Sequence, residues 1–225
     1  MDAVAAYDGK ARDYAAFRLP YAPEGIDALA ATIGLERGWT VADIGSGPGH
    51  LTGHFADRVD HIYAVEPNDD MRREAQRVLG TLRAVEHVSG RAERTGLPDA
   101  SVDLVTVGQA LHWFDPEPAR REFARILRPG GWLALVWTRI AGEGDLDIEG
   151  YFEPRSIARR SHPMTATETW EQFIGGMRSC AGAPRTTDPE YPAFERLQRR
   201  SFDRRAVDGL LTVSFSTETV VGNLA

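Results

Sequence analysis

Three glycines at alternate positions follow a short apolar stretch that is typical of a β-strand. With Asp43 they form the pattern D-x-G-x-G-x-G, in which the glycines are Gly45, Gly47 and Gly49. Glycine lets the backbone pass where a side chain would block a ligand. The dinucleotide-binding pattern is G-x-G-x-x-G, and this chain has His50 where that pattern has its last glycine. The loop predicts a ligand that lies against the backbone before a helix.

A carboxylate follows the next apolar stretch, in Y-A-V-E-P-N-D-D-M, about twenty residues after the loop. Glu66 in this position can accept hydrogen bonds from both ribose hydroxyls of an adenosine ligand. Without the glycine loop before it, Glu66 could equally be a solvent-exposed acid in a turn with Pro67 and Asn68. With the glycine loop in register before it, the pattern favours an adenosine-containing ligand.

A histidine between large side chains follows the fourth predicted strand, where parallel strands open a ligand crevice at their carboxyl ends. The residues are His112, Trp113 and Phe114. His112 is predicted to act as a general base or to orient a substrate. Packing in the core, with its hydrogen bonds satisfied, is the alternative for all three side chains.

Residues 38–138 alternate β-rich runs with helical stretches, which predicts parallel strands joined by crossover helices. The predicted strands are Thr40–Ile44, His61–Val65, Val85–Ser89, Val102–Val107 and Trp132–Trp137. The predicted helices between them are Leu51–Arg58, Asp69–Leu79 and Pro116–Leu127. One α/β domain is therefore expected.

The flanks of this region are predicted to cover it. Residues 1–37 are read as helical, and residues 139–205 are read as a helical cap that includes Ala166–Met177 and Pro192–Phe202. The threonine- and valine-rich residues 206–225 predict a strand at the sheet edge.

Composition excludes several classes of protein. Among 225 residues, 26 basic and 33 acidic side chains give a net charge of −7, so a global nucleic-acid-binding surface is not expected. No run reaches the about 18 to 20 apolar residues of a membrane helix, and the start lacks signal-peptide features. The single cysteine, Cys180, fits a reducing compartment, so a cytoplasmic protein is expected. The six histidines lack metal-ligand spacing, so no metal is predicted.

The sequence resembles class I S-adenosylmethionine-dependent methyltransferases of the type 11 domain, in the small-molecule group related to trans-aconitate methyltransferases. The resemblance rests on four ordered strings: VADIGSGPGHLT, YAVEPNDDM, GRAERTGLPDASVDLVTVGQALHWFD and ILRPGGWLALVW. It implies a Rossmann-like sheet of seven strands, mostly parallel with an antiparallel edge and helices on both faces. It also implies S-adenosylmethionine as cofactor and S-adenosylhomocysteine as product.

The resemblance implies a cofactor-binding set. Its members are Arg18, Asp43, Gly45, Ser46, Gly47, Gly49, Glu66, Asn68, Met71, Ala92, Glu93 and Gln109. The glycine backbone would lie against the methionine moiety, and Glu66 would hold the ribose. Ala92 N–H and the Glu93 carboxylate would bind adenine. Gln109 would close over the polar tail, and Arg18 is the candidate partner of the cofactor carboxylate, or else an ordinary surface arginine.

Methyl transfer from a sulfonium is a direct displacement that needs alignment more than acid–base chemistry. The expected acceptor is a small molecule, a carboxylate or a hydroxyl compound, held between the amino-terminal helix and residues 139–205. The predicted substrate-side residues are Tyr21, His112, Trp113 and Arg139. If the acceptor is anionic, Arg155 and Arg159 are expected to contribute with Arg139.

Two other functions remain open from sequence. A nicotinamide-dependent oxidoreductase shares this kind of sheet, although the glycine spacing argues against it. A non-catalytic S-adenosylmethionine-binding protein would keep the same cofactor residues. Nucleic-acid and membrane partners are not expected, and both a monomer and a homodimer are compatible with the sequence.

Overall fold

A computed structural model describes residues 4–140, 144, 148, 151–152 and 157–224. These residues form one seven-stranded sheet in the order β3-β2-β1-β4-β5-β7-β6. The strands are β1 (Thr40–Ile44), β2 (His61–Val65), β3 (Val85–Val88), β4 (Val102–Gly108), β5 (Leu127–Ile140), β6 (Ala158–Glu168) and β7 (Leu211–Asn223). Strands β1 to β5 pair in parallel, and β7 runs antiparallel to both β5 and β6.

Helices connect and cover the strands. They are α1 (Ala11–Phe17), α2 (Pro23–Ile33), α3 (His50–Phe55), α4 (Asp69–Leu79), α5 (Pro116–Ile126), α6 (Trp170–Arg178) and α7 (Tyr191–Arg205). Two single-turn 3₁₀ helices, Ala5–Tyr7 and Leu111–Trp113, lie at the carboxyl-terminal edge of the sheet. The predicted mostly parallel sheet with an antiparallel edge is confirmed.

The antiparallel edge of the sheet, formed by β7 and β6, differs from the prediction. The carboxyl-terminal strand β7 is not at the edge, because β6 pairs along its outer side. Residues 139–205 therefore contribute a strand as well as two helices. From His162 to Glu168, half-buried and exposed residues alternate, which is the two-residue period of a strand with one covered face. Pro163 fits this place because an edge strand tolerates a residue without an N–H.

The helix predicted over Ala166–Met177 starts later, at Trp170. Its start is fixed by a capping box in which Thr169 Oγ1 accepts from Gln172 N–H at 3.3 Å. In return, Gln172 Oε1 accepts from Thr169 N–H at 2.9 Å. A cluster of Phe173, Phe202 and Phe215 then packs α6 and α7 against β7. These contacts hold the two helices beside the carboxyl end of β5.

The amino-terminal segment is tied to α6 by a buried charge. Lys10 is 7% exposed, and its Nζ donates to the carbonyls of Cys180 at 2.6 Å, Ala181 at 3.0 Å and Ala183 at 2.7 Å. Helices α1 and α6 also pack closely against each other, because a Cβ atom at Gly175 on α6 would lie only 2.2 Å from Phe17 Cδ2 on α1. The only lysine of the chain thus satisfies three carbonyls where α6 ends.

Replacing Lys10 with methionine is expected to destabilise the protein. Buried carbonyls that lose their donor cost about 1–3 kcal/mol, so the free energy of unfolding should fall by about that amount. Urea denaturation measures the change, and Lys10→Arg, which keeps donors for the same carbonyls, should lose less. Equal stability of the wild type and Lys10→Met would contradict the role of this side chain.

Candidate functional site

The glycine loop leaves the end of β1 in left-handed backbone conformations. Gly45 has φ +68°, Gly47 +55° and Gly49 +94°, a region that favours glycine. At Gly45 a Cβ atom would lie 2.7 Å from Ala110 Cβ, so a side chain there would collide with the loop that follows β4. The loop therefore presents bare backbone at the carboxyl edge of the sheet.

Gly49 allows close packing between two helices, whereas Gly45 and Gly47 line the cavities. It precedes α3, and a Cβ atom in its place would lie 2.3 Å from Leu79 Cδ1 at the end of α4. Gly49 lines none of the three cavities described below. Its absence of a side chain lets α4 pack against the start of α3.

The Glu66 carboxylate lies at the end of β2 and faces the loop. Its Oε2 accepts from Gly47 N–H at 2.9 Å, and its Oε1 accepts from Asn68 N–H at 2.8 Å. Burial raises the pKa of Glu66 despite these bonds. A carboxylate has about four lone-pair positions, so each oxygen can accept a further hydrogen bond from a ligand.

Asp43 lies beneath the loop and is fully buried. Its Oδ2 accepts from the Thr52 hydroxyl at 2.5 Å, and its Oδ1 accepts from the Thr106 hydroxyl at 3.0 Å. Desolvation raises the pKa of Asp43 to about 6. The side chain thus links α3 and β4 under the loop.

Seven of the predicted cofactor residues line one cavity, called the first cavity. They are Gly45, Gly47, Glu66, Met71, Ala92, Glu93 and Gln109. Trp113 and two tyrosines of the amino-terminal segment, Tyr7 and Tyr14, also line it. The Tyr7 ring meets the Trp113 ring edge-on at 5.9 Å and the Tyr14 ring at 5.8 Å, so these rings form an aromatic wall.

Gln109 lies between this cavity and its neighbour. Its φ of +56° is uncommon for a residue other than glycine, and such conformations cluster at functional sites. The Gln109 Nε2 donates to the Thr138 carbonyl at 3.3 Å. At the other end of the first cavity, Glu93 Oε1 accepts from Asp115 N–H at 2.9 Å, which fixes that carboxylate.

Besides Asp43 and Gly49, three further predicted cofactor residues lie outside the first cavity. Asn68 caps α4 by accepting from Met71 N–H at 3.0 Å. Its Nδ2 donates to the Asp8 carboxylate at 2.8 Å, which ties down the amino-terminal segment. Ser46 lines the narrow cavity described below, and Arg18 lines the second cavity. The guanidinium of Arg18 lies 4.7 Å from the centre of the Tyr14 ring.

A second, larger cavity of about 540 Å³ lies between α1, α6 and α7. Apolar and aromatic side chains form the larger part of its walls, among them Phe17, Phe173 and Met177. Three charged side chains, Arg18, Glu168 and Arg205, also line it. Tyr14 and Gln109 line both this cavity and the first, so the two adjoin. Cavities of this size and lining are typical of small-molecule sites.

A narrow cavity connects these two spaces under the glycine loop. Gly45, Gly47 and Gly108 line it together with the first cavity, whereas Tyr21 and His50 line it together with the second. A Cβ atom at Gly108 would lie 2.8 Å from the Tyr21 hydroxyl oxygen. Glycine at this position therefore lets Tyr21, a predicted substrate residue, sit over the end of β4.

Of the other predicted substrate residues, Trp113 lines the first cavity, whereas His112 and Arg139 point elsewhere. His112 is exposed on its 3₁₀ turn and lines none of the three cavities. Thr138 and Ile140 line the second cavity, so Arg139 between them faces the opposite side of β5, where its Nη2 lies 3.3 Å from Glu218 Oε1. Arg159 is exposed on β6, and Arg155 lies outside the described residues.

Two site residues were missed by the sequence reasoning. Tyr14 lines all three cavities, and burial raises its pKa to about 12. His50 stacks on the Tyr14 ring at 5.8 Å and accompanies it in the narrow and second cavities. The position of His50, directly after the last glycine, was the signal that could have identified it.

Comparisons with known proteins agree with this geometry. A family model described as a methyltransferase domain matches residues 42–135. An uncharacterized methyltransferase of Mycobacterium tuberculosis is 42% identical over 124 residues, which are 53% of this chain and 46% of that protein. A ubiquinone/menaquinone biosynthesis C-methyltransferase of Enterobacter is 36% identical over 110 residues, or 46% of this chain and 44% of that protein. The chain thus spans about half the length of the curated relatives it matches.

Solved structures share the fold. A putative type II methyltransferase from Anaeromyxobacter dehalogenans has a TM-score of 0.64 at 22% identity, covering 92% of this chain and 98% of that one. An S-adenosylmethionine-dependent methyltransferase from Aquifex aeolicus has a TM-score of 0.53 at 18% identity, covering 94% and 97%. The relation to trans-aconitate methyltransferases stays a prediction. Among the described residues, none of the helices is long and apolar enough to cross a membrane.

Proposed function

We propose that this chain, whose residues 42–135 match the model of a methyltransferase domain, is a class I S-adenosylmethionine-dependent methyltransferase that transfers a methyl group from that cofactor to a small molecule. The observation that carries the proposal is the first cavity. There the backbone of the glycine loop forms a floor between the Glu66 carboxylate at the end of β2 and the Glu93 carboxylate beyond β3.

The residues of the first cavity fit an adenosine ligand. Glu66 is held by two backbone N–H groups and keeps lone pairs for two neighbouring hydroxyls, as a ribose presents them. Glu93 has one oxygen on Asp115 N–H, which leaves the other for an exocyclic amine. Ala92 and Met71 add buried apolar surface for a flat ring. Both carboxylates are acceptors, and the ligand groups that we assign to them are donors.

The polar tail of the cofactor is assigned to the glycine loop and the narrow cavity. Ser46, Gly45 and Gly47 line the narrow cavity, and so does Asp43, whose carboxylate accepts a hydrogen bond from Thr52 on α3. Arg18 is the candidate partner of the tail carboxylate, because its Nε is buried without a hydrogen-bond partner among the described residues. When bound, S-adenosylmethionine supplies a methyl group on a positively charged sulfur, which a nucleophile can displace directly.

The second cavity is the proposed acceptor site. It adjoins the first cavity through Tyr14 and Gln109 and reaches the glycine loop through Tyr21 and His50. Its apolar walls would exclude water and align an acceptor with the methyl group, and alignment alone contributes effective molarities on the order of 10⁵ to 10⁸ M. The protein's task is then mainly to position the two reactants.

Methyl transfer can be tested with a cofactor that carries a deuterated methyl group. The protein is incubated with it and with a panel of phenols, alcohols and carboxylic acids, and mass spectrometry searches for acceptors that gained the label. We expect labelled product and an equal amount of S-adenosylhomocysteine. Tight binding of S-adenosylhomocysteine without transfer to any acceptor would instead favour a non-catalytic binding protein. Binding of NADH in its place would favour an oxidoreductase.

A further inference from the structure

His50 occupies the point where the narrow cavity and the second cavity meet. It is the first residue of α3 and directly follows the glycine loop. The narrow cavity that it lines is shared with Gly45 and Gly47, which also line the first cavity. A side chain in this place lies between the proposed cofactor tail and the proposed acceptor. None of the roles assigned above uses it.

The hydrogen bond of His50 defines which ring nitrogen carries the proton. Its Nε2 lies 3.0 Å from the Ala15 carbonyl oxygen. A carbonyl can only accept, so Nε2 is the protonated nitrogen of the neutral ring and Nδ1 carries a free lone pair. Within the part of the chain that the structure describes, Nδ1 has no hydrogen-bond partner. The free nitrogen is thus a proton acceptor without a protein donor.

The surroundings keep this ring neutral. The titratable and charged groups nearest to it are Tyr14 on α1, Arg18 and Tyr21 between α1 and α2, His54 on α3 and Asp43 on β1. Across the second cavity, Glu168 on β6 and Arg205 on α7 share its lining with His50. Burial lowers the pKa of His50, the positive charge of Arg18 lowers it further, and the Ala15 carbonyl opposes both. Burial also raises the pKa of Tyr14 and Tyr21, so both phenols stay neutral.

We propose that His50 Nδ1 takes the proton from a phenolic acceptor held in the second cavity, an inference that rests on the proposed function. The acceptor oxygen forms a bond to the methyl carbon while the carbon–sulfur bond breaks and its electron pair stays on sulfur. The phenolic proton moves to Nδ1, and the resulting imidazolium later releases it to water.

The unpaired lone pair of His50 and the aromatic part of the lining favour this acceptor class over a carboxylate, and Glu168 lines the second cavity together with Arg18 and Arg205, so the lining is not purely basic. An ionised carboxylate needs no base, whereas a phenol with a pKa of about 10 does at neutral pH. The aromatic side chains of Phe17, Phe173 and Tyr14 line the second cavity and suit a flat ring. His112, the base expected from sequence, is exposed and lines none of the cavities.

The variant His50→Gln separates base catalysis from packing, because the glutamine amide can still donate to the Ala15 carbonyl. With phenol and β-naphthol as probes, kcat at neutral pH should fall about 100-fold or more while KM changes little. The kcat of the variant should rise with pH toward the pKa of the free phenol. The fall in kcat should be smaller for para-nitrophenol, because this far more acidic phenol is already substantially ionised at neutral pH and depends less on a base. His61→Gln, which removes a histidine at the opposite edge of the sheet, is the control and should keep wild-type kcat.

A second readout does not depend on turnover. Nitrogen NMR of isotope-labelled histidine should show His50 protonated at Nε2 only, and β-naphthol added to the S-adenosylhomocysteine complex should shift the Nδ1 resonance. A proton on Nδ1, an unchanged kcat in His50→Gln, or the loss appearing in His112→Gln instead would each overturn the proposal. So would binding of S-adenosylhomocysteine with methylation of carboxylic acids but of no phenol. Failure to bind S-adenosylhomocysteine would overturn the proposed function itself.

Discussion

Replacing Glu66 with alanine should weaken binding of S-adenosylhomocysteine by at least about tenfold. Hydrogen bonds to a charged carboxylate contribute about 1.5–3 kcal/mol, and 1.4 kcal/mol corresponds to a factor of ten in affinity. The variant also loses the acceptor for Gly47 N–H, which lies 2.9 Å from the carboxylate in the wild type. Isothermal titration calorimetry measures the affinity, and the melting temperature shows whether the fold is intact.

A deoxyribose analogue of the ligand distinguishes ribose binding from support of the loop. If Glu66 holds the hydroxyls, the wild type should lose affinity for the analogue, and Glu66→Ala should lose little more. Glu86→Ala removes an exposed carboxylate from β3 and should bind both ligands as the wild type does. Equal affinity of the wild type and Glu66→Ala for S-adenosylhomocysteine would remove the ribose assignment.

Replacing Gly49 with alanine should destabilise the fold by about 2 kcal/mol or more, from overpacking and from backbone strain. The added Cβ would lie 2.3 Å from Leu79 Cδ1, and the backbone φ is +94°. Chemical denaturation measures the loss. The effect is expected on stability first, because Gly49 lines none of the described cavities.

Gly34 provides a matched control for this substitution. It has φ +64° at the end of α2, and no atom lies within 4 Å of a Cβ built there. Gly34→Ala should therefore show the strain without the collision and lose less stability. Leu79→Ala removes the atoms with which the new Cβ collides. In a Leu79→Ala background, adding Gly49→Ala should therefore lower the free energy of unfolding by less than it does in the wild type. If Gly49→Ala and Gly34→Ala lose the same stability, the contact with Leu79 is not the cause.

Local patterns predicted the central strands because each of them is a short apolar run between turn residues. The bounds of Thr40–Ile44, His61–Val65 and Asp69–Leu79 agree with the structure. The edge could not be predicted in the same way, because Ala158–Glu168 is a strand only through its pairing with β7. Its sequence contains a proline and two arginines and has little apolar surface, so strand propensity alone does not indicate it.

The clustering of the predicted cofactor residues in the first cavity could be predicted, because each follows a strand at the same edge of the sheet. Glu66 and Gln109 are examples. The direction of the His112 side chain could not be predicted, because a residue on a single 3₁₀ turn can face either the crevice or the solvent. Arg139 has Thr138 and Ile140 on the cavity side of β5, and strand alternation places it on the other face. That assignment required knowing which face the cavity occupies.

Calorimetric titration with S-adenosylhomocysteine tests the central claim, that the first cavity binds this cofactor, most directly. We expect saturable binding of one molecule per chain, displaced by S-adenosylmethionine and weakened in Glu66→Ala, with no response to NADH. Absence of binding by the folded protein, or tighter binding of NADH, would contradict the account.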